Sequence, residues 1–123
     1  DLWHVLEIGT FEPIYQGDVL IREGDAGGYF LILLGGQARV SKQGRLIDLV
    51  PSGMSIGEIS YVLEGRVKRI TTCVAVTDGI VLRISDEALR SASDVCRSRF
   101  EKTFLQTMAS WLVDADKRLG AVP

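Results

Sequence analysis

Twelve of the 13 glycines lie between Gly9 and Gly79, and none falls in residues 80–119. A glycine inside a helix or strand costs roughly 0.5–1 kcal/mol relative to alanine, so a stretch punctuated this densely cannot be a succession of long helices. Between the glycines sit short apolar segments: Val19 to Ile21, Tyr29 to Leu34, Ala38 to Val40 and Leu46 to Val50. A further strand-like stretch, Ile70 to Val76, leads through Thr77-Asp78-Gly79 into Ile80 to Ile84. Turn signals recurring about every 8 to 12 residues predict an all-β sandwich or barrel. Asp78-Gly79 reads as a hairpin-type turn dipeptide.

The glycine-free remainder has a different period. Ser85-Asp86-Glu87-Ala88 places an N-cap before an acidic first turn, and Ser93-Asp94 offers a second helix start. Leu105, Met108, Leu112, Ala115 and Leu119 then fall at alternating spacings of three and four, and Phe100, Phe104 and Trp111 widen that line. A face this broad predicts a helix packed on its own domain, while the seam inside it suits a partner helix and hence a homodimer. Residues 1–9 read as a short helical segment with Leu2, Trp3, Val5 and Leu6 partly buried. We therefore expect a single domain over residues 1–123: strands over 10–85 and C-terminal helices over 86–119.

Charge and rare residues narrow the chemistry. A net charge of -2, from 14 basic and 16 acidic residues, lacks the footprint of a general nucleic-acid binder. His4 is the single histidine, and Cys73 and Cys96 form no C-x-x-C pair, which disfavours zinc sites and histidine-based triads. Cys73, between apolar strand neighbours, reads as an inert core thiol. The longest apolar run, Tyr29 to Leu34, is far too short for a membrane span. A cytoplasmic domain excised from a longer protein, with its output carried by an attached effector domain, is the expectation.

The segment from Pro51 to Val76 carries the site. Ile59 to Leu63 is long enough for one or two helical turns, and a helix opening after Gly57 presents unpaired backbone N–H groups to an anion. Arg69, beyond a charged loop, supplies a planar two-pronged donor for a phosphate. Glu58 would repel that phosphate, so it is better used as an acceptor for sugar hydroxyls, and a ribose phosphate is the natural ligand. Nothing in the spacing of Glu58, Asp18, Asp25 and Glu64 supports acid–base catalysis.

These residues resemble the phosphate-binding cassette of the cyclic nucleotide-binding domain family. That cassette reads Gly-Glu-Leu-Ala-Leu, a short loop, then arginine followed by small and hydroxylated residues. Ile56-Gly57-Glu58-Ile59-Ser60-Tyr61 is similar to its first half, and Arg69-Ile70-Thr71-Thr72-Cys73 to its second. Gly17-Asp18, Gly24-Asp25, Tyr29, Gly36 and Val40 follow the family's upstream rhythm, so the resemblance covers about residues 10 to 115.

The resemblance implies a mainly β fold with flanking helices: an eight-stranded jelly-roll barrel (double-stranded β-helix), a phosphate-binding cassette over about 56–73 and C-terminal helices. It implies a non-enzymatic regulatory domain with no cofactor, whose ligand is cAMP or cGMP. Glu58 would hold the ribose 2′-hydroxyl and Arg69 the cyclic phosphate, with Gly57, Ile59 and Ser60 contributing backbone groups and Ile70 and Thr71 flanking the phosphate. Leu105, Met108 or Trp111 would cap the base. Ile70 stands where the family usually has a small or hydroxylated residue, which favours cAMP over cGMP. The basic loop leaves Lys68 or Arg66 as alternatives to Arg69, and Tyr61 reads as packing. A degenerate, non-binding jelly-roll module for interaction or dimerisation is the alternative; a cupin-type metal enzyme is disfavoured by the single histidine.

Overall fold

Each early strand pairs antiparallel with a late one. The strands are β1 (Gly9–Ile14), β2 (Val19–Ile21), β3 (Tyr29–Gly35), β4 (Ala38–Lys42), β5 (Arg45–Val50), β6 (Ser55–Ile56), β7 (Thr72–Ala75) and β8 (Gly79–Ser85). The pairs β4–β5, β3–β6, β2–β7 and β1–β8 nest inside one another, as if one long hairpin had been folded over. Its tip is the turn Gln43-Gly44, with φ of 51° and 81°, the left-handed pair that a two-residue hairpin needs. Two four-stranded sheets result, in the orders β1-β8-β3-β6 and β2-β7-β4-β5. The computed structural model describes residues 7–119, so most of the expected N-terminal helical segment, with His4, lies outside the described residues.

Asp78-Gly79 does not close a hairpin, contrary to the sequence reading. β7 belongs to one sheet and β8 to the other, and Thr77-Asp78-Gly79 is the corner between them. Thr77 Oγ1 accepts from Gln37 N at 3.1 Å and Asp78 Oδ1 accepts from Gln16 N at 2.8 Å, which satisfies backbone donors at the corner. A Cβ at position 79 would lie 2.0 Å from the Gly35 carbonyl oxygen, so glycine is required by close approach of two backbones. The strand expected over Ile70 to Val76 is likewise shorter, Thr72–Ala75.

Two cores explain the apolar run in β3. Leu31 and Leu33 join Ile14, Ile21, Val50, Ile56, Cys73 and Val81 in one. Phe30 points the other way, into a second core with Tyr61, Leu82, Ile84, Leu89 and Phe104. A strand covered on both faces reads as continuous hydrophobicity instead of alternation. The second core docks the helices α1 (Glu58–Val62), α2 (Asp86–Arg90) and α3 (Asp94–Leu119). Ser85 caps α2 by accepting from Ala88 N at 3.0 Å, and Ser93 Oγ accepts from Cys96 N at 3.2 Å, so both serine starts act as the sequence predicts. Cys73 is fully buried, which pushes its thiol up to about 12. No helix among the described residues is long and apolar enough to cross a membrane.

Candidate functional site

The site begins where β6 gives way to α1. Gly57 occupies the N-cap position with φ 84°, a left-handed conformation that side chains other than glycine's rarely adopt. A Cβ there would lie 2.5 Å from Ile21 Cδ1 and 2.9 Å from Arg69 Nη1, so space and backbone both select glycine. Glu58 follows as the first residue of α1 and is 1% exposed. Its Oε1 has no hydrogen-bond partner, and neither has the neighbouring Ser55 Oγ. Burial pushes the Glu58 carboxyl above its ordinary value, against the opposing pull of its own backbone N–H. An acceptor left unpaired inside the protein costs free energy until a donor reaches it.

Arg69 is positioned from two directions. Its backbone N–H donates to Asp25 O at 2.8 Å and its carbonyl accepts from Gly24 N at 2.9 Å, which ties the end of the charged loop to the turn after β2. Its guanidinium donates from Nη1 to Gly57 O at 2.9 Å and from Nη2 to Tyr29 O. Arg69 Cζ lies 4.8 Å from the Tyr29 ring centroid, and Arg83 Cζ lies 3.8 Å from the same ring. Arg69 is 8% exposed and no ion pair among the described residues involves it.

Glu58 and Arg69 both line one cavity of about 360 Å³. That volume falls within the ~300–1,000 Å³ of small-molecule sites. Gly57, Ile59, Ser60, Ile70 and Thr71 line it too, so all seven residues singled out from the sequence come together. Ile21, Val40, Ile47, Val50, Ile56 and Val67 give it apolar walls, and Lys42, Asp48, Lys68 and Asp114 add charge. Arg66 does not line it; its Nε is spent on Leu63 O at 3.0 Å. The arrangement suits a ligand with a hydroxyl for Glu58, an anion for the guanidinium and a flat, weakly polar body for the walls.

Leu105 and Met108 do not cover this cavity. They line a second depression of about 460 Å³ together with Tyr61, Arg90, Arg97 and Glu101, and it is Asp114 of α3 that lines the first. The side chain of Trp111 lies outside the described residues. Tyr61 packs as expected, edge-on to Phe30 and Phe104 at centroid distances of 6.3 and 5.8 Å. Its hydroxyl also donates to Glu101 Oε2 at 2.8 Å, and burial with that carboxylate pushes the phenol up to about 12.

The sequence reading missed the supporting partners: Tyr29 under Arg69, the backbone clamp of Gly24 and Asp25, and Lys42, Asp48 and Asp114 on the walls. An aromatic residue opening β3 signals packing, and nothing local to Tyr29 marks it as a platform for two arginines.

The cyclic nucleotide-binding domain profile matches residues 11–94. The chain belongs to that family, a regulatory and non-catalytic type of domain. Comparison with curated protein sequences finds no significant match. Among solved structures, a cyclic nucleotide-binding domain from Methylobacillus flagellatus superposes with a TM-score of 0.81 at 22% identity, over 98% of this chain and 71% of that one. The Thermus thermophilus catabolite activator protein gives 0.78 at 23% identity, over 98% of this chain and 57% of its own length. The second cyclic nucleotide-binding domain of a protein kinase A regulatory subunit, bound to Sp-2Cl-cAMPS, gives 0.75 at 22%, over 94% and 75%.

Proposed function

We propose that this domain is a cytoplasmic sensor that binds a cyclic nucleotide, cAMP in preference to cGMP, and relays binding to an attached effector domain. One observation carries the reading: the unpartnered, buried Glu58 Oε1 and the Arg69 guanidinium share a single cavity of ligand size. Glu58 would accept from the ribose 2′-hydroxyl, and Arg69 would pair with the cyclic phosphate. Of the five guanidinium donors, two are spent on Gly57 O and Tyr29 O, which leaves three for a phosphate. Gly57, Ile59 and Ser60 contribute backbone, and Thr71 and the apolar Ile70 flank the phosphate. Ile70 offers no hydroxyl to guanine, which supports adenine.

The relay follows the packing. Tyr61, three residues after Glu58, joins α1 to α3 through Phe104 and Glu101, so a ligand that binds one placement of α1 better shifts α3 with it. The two sheets would close as the family's jelly-roll barrel, and the exposed seam of Leu105 and Leu112 would serve a homodimer.

A second reading has its own support: Arg69 is already held by two carbonyls and Ile70 is apolar, as a barrel kept only for protein interaction would allow. Calorimetry separates the two. The sensor reading expects heat of binding from cAMP, weaker heat from cGMP, and none after Arg69→Ala; no heat from either nucleotide with the unmodified domain would leave the interaction module.

A further inference from the structure

The Ser60 hydroxyl, two residues from Glu58, sits in a closed ring of hydrogen bonds. Gly28 N donates to Ser60 Oγ at 3.1 Å, Ser60 Oγ donates to Asp86 Oδ2 at 3.2 Å, and Asp86 N donates back to Gly28 O at 2.9 Å. Ser60 and Asp86 are both buried. A Cβ at Gly27 would lie 1.8 Å from Ser60 Oγ, so the loop before β3 rests directly on that hydroxyl. Three segments meet here: the β2–β3 loop, the helix that opens with Glu58, and the first residue of α2.

The ring is not built for stability alone. Asp86 Oδ1 is buried with no hydrogen-bond partner, and desolvation holds the carboxyl above its ordinary value against the pull of the Ser60 hydroxyl, Arg90 and Arg69. A buried carboxylate satisfied on one oxygen only is costly, and apolar packing at the same place would be cheaper. We propose that Ser60 and Asp86 are positioning residues: their hydrogen bond makes α2, and with it the start of α3, follow any displacement of α1. The inference rests on the reading that a cyclic nucleotide binds against α1. The link runs through polar groups and is separate from the aromatic contact of Tyr61 with Phe104.

Amide hydrogen exchange on the whole domain tests it, with wild type, Ser60→Ala, Asp86→Ala, Asp86→Asn and the double alanine variant, each with and without saturating cAMP. Bound nucleotide should slow exchange in both α1 and α2 of wild type. In Ser60→Ala and Asp86→Ala it should slow α1 while α2 responds far less, through the Arg90 Nη2 to Tyr61 O contact that remains, and Asp86→Asn, which keeps an acceptor oxygen, should behave as wild type. Without nucleotide, Ser60→Ala, which leaves the buried Asp86 carboxylate unpaired, should speed α2 exchange about tenfold, and the double variant, which removes that carboxylate as well, no further. A wild-type α2 response in both alanine variants overturns the proposal. If wild type ignores cAMP altogether, the sensor reading fails and the link is judged on the unliganded arm, where additive or absent acceleration rejects it. Should Asp86→Ala fail to fold, Ser60→Ala and Asp86→Asn make the same comparison.

Discussion

At Gly57 a methyl group has nowhere to go: Ile21 and Arg69 fill the space and the backbone is left-handed. Gly57→Ala is expected to destabilise the domain by about 1–3 kcal/mol and to displace Arg69, measured by urea unfolding. Glu58 responds to pH. Its folded-state value is raised above the ordinary 4.5, so its contribution to stability is complete below that value and is lost as pH rises through the raised one. Glu58→Gln removes the buried charge, so unliganded Glu58→Gln should gain on wild type as pH rises from 4 toward 8 in thermal melts. Equal melting curves across that range would mean that the carboxyl is not desolvated. That Glu58 and Arg69 line one cavity was legible in the sequence, because the cassette sets them at either end of one short helix and loop. Asp86 was not, since an acid in a helix's first turn is ordinary and only tertiary packing buries it.

Among the elements, α3 depends on Phe104, which is 1% exposed and stacks edge-on against Phe30 at a centroid distance of 5.1 Å. Phe104→Ala should cost about 3–5 kcal/mol and loosen α3 from the sheet, seen as lost exchange protection over residues 94–108 with the strands still protected. The helix starts at Ser85 and Ser93 were legible because capping is a local event. The phase of α3 was not: the three-and-four spacing defines an apolar line, but which cavity that line faces is set by Phe104 entering the second core. Leu105 and Met108 therefore turn toward α1 and leave Asp114 at the cavity lined by Glu58 and Arg69. Asp78-Gly79 misled for a similar reason. A turn dipeptide states that the chain reverses locally and is silent on which sheet receives the next strand.

At the scale of the molecule, the glycine punctuation foretold a β architecture, and the nested pairing explains how the cassette reaches its place. Folding one long hairpin over brings β6 and β7 to opposite sheets, so Glu58 and Arg69, on either side of the loop between them, face a common space. On the proposed reading, this space holds a cyclic nucleotide by its ribose hydroxyl and its phosphate. Calorimetric comparison of cAMP with 2′-deoxy-cAMP, on wild type and on Glu58→Gln, tests it most directly. A hydrogen bond to a charged group is worth about 1.5–3 kcal/mol, so wild type should bind the deoxy ligand roughly 10- to 100-fold more weakly, and Glu58→Gln, which keeps only a neutral acceptor, should narrow that gap in part. Equal binding of the two ligands by wild type, or an undiminished gap in the variant, would contradict the account.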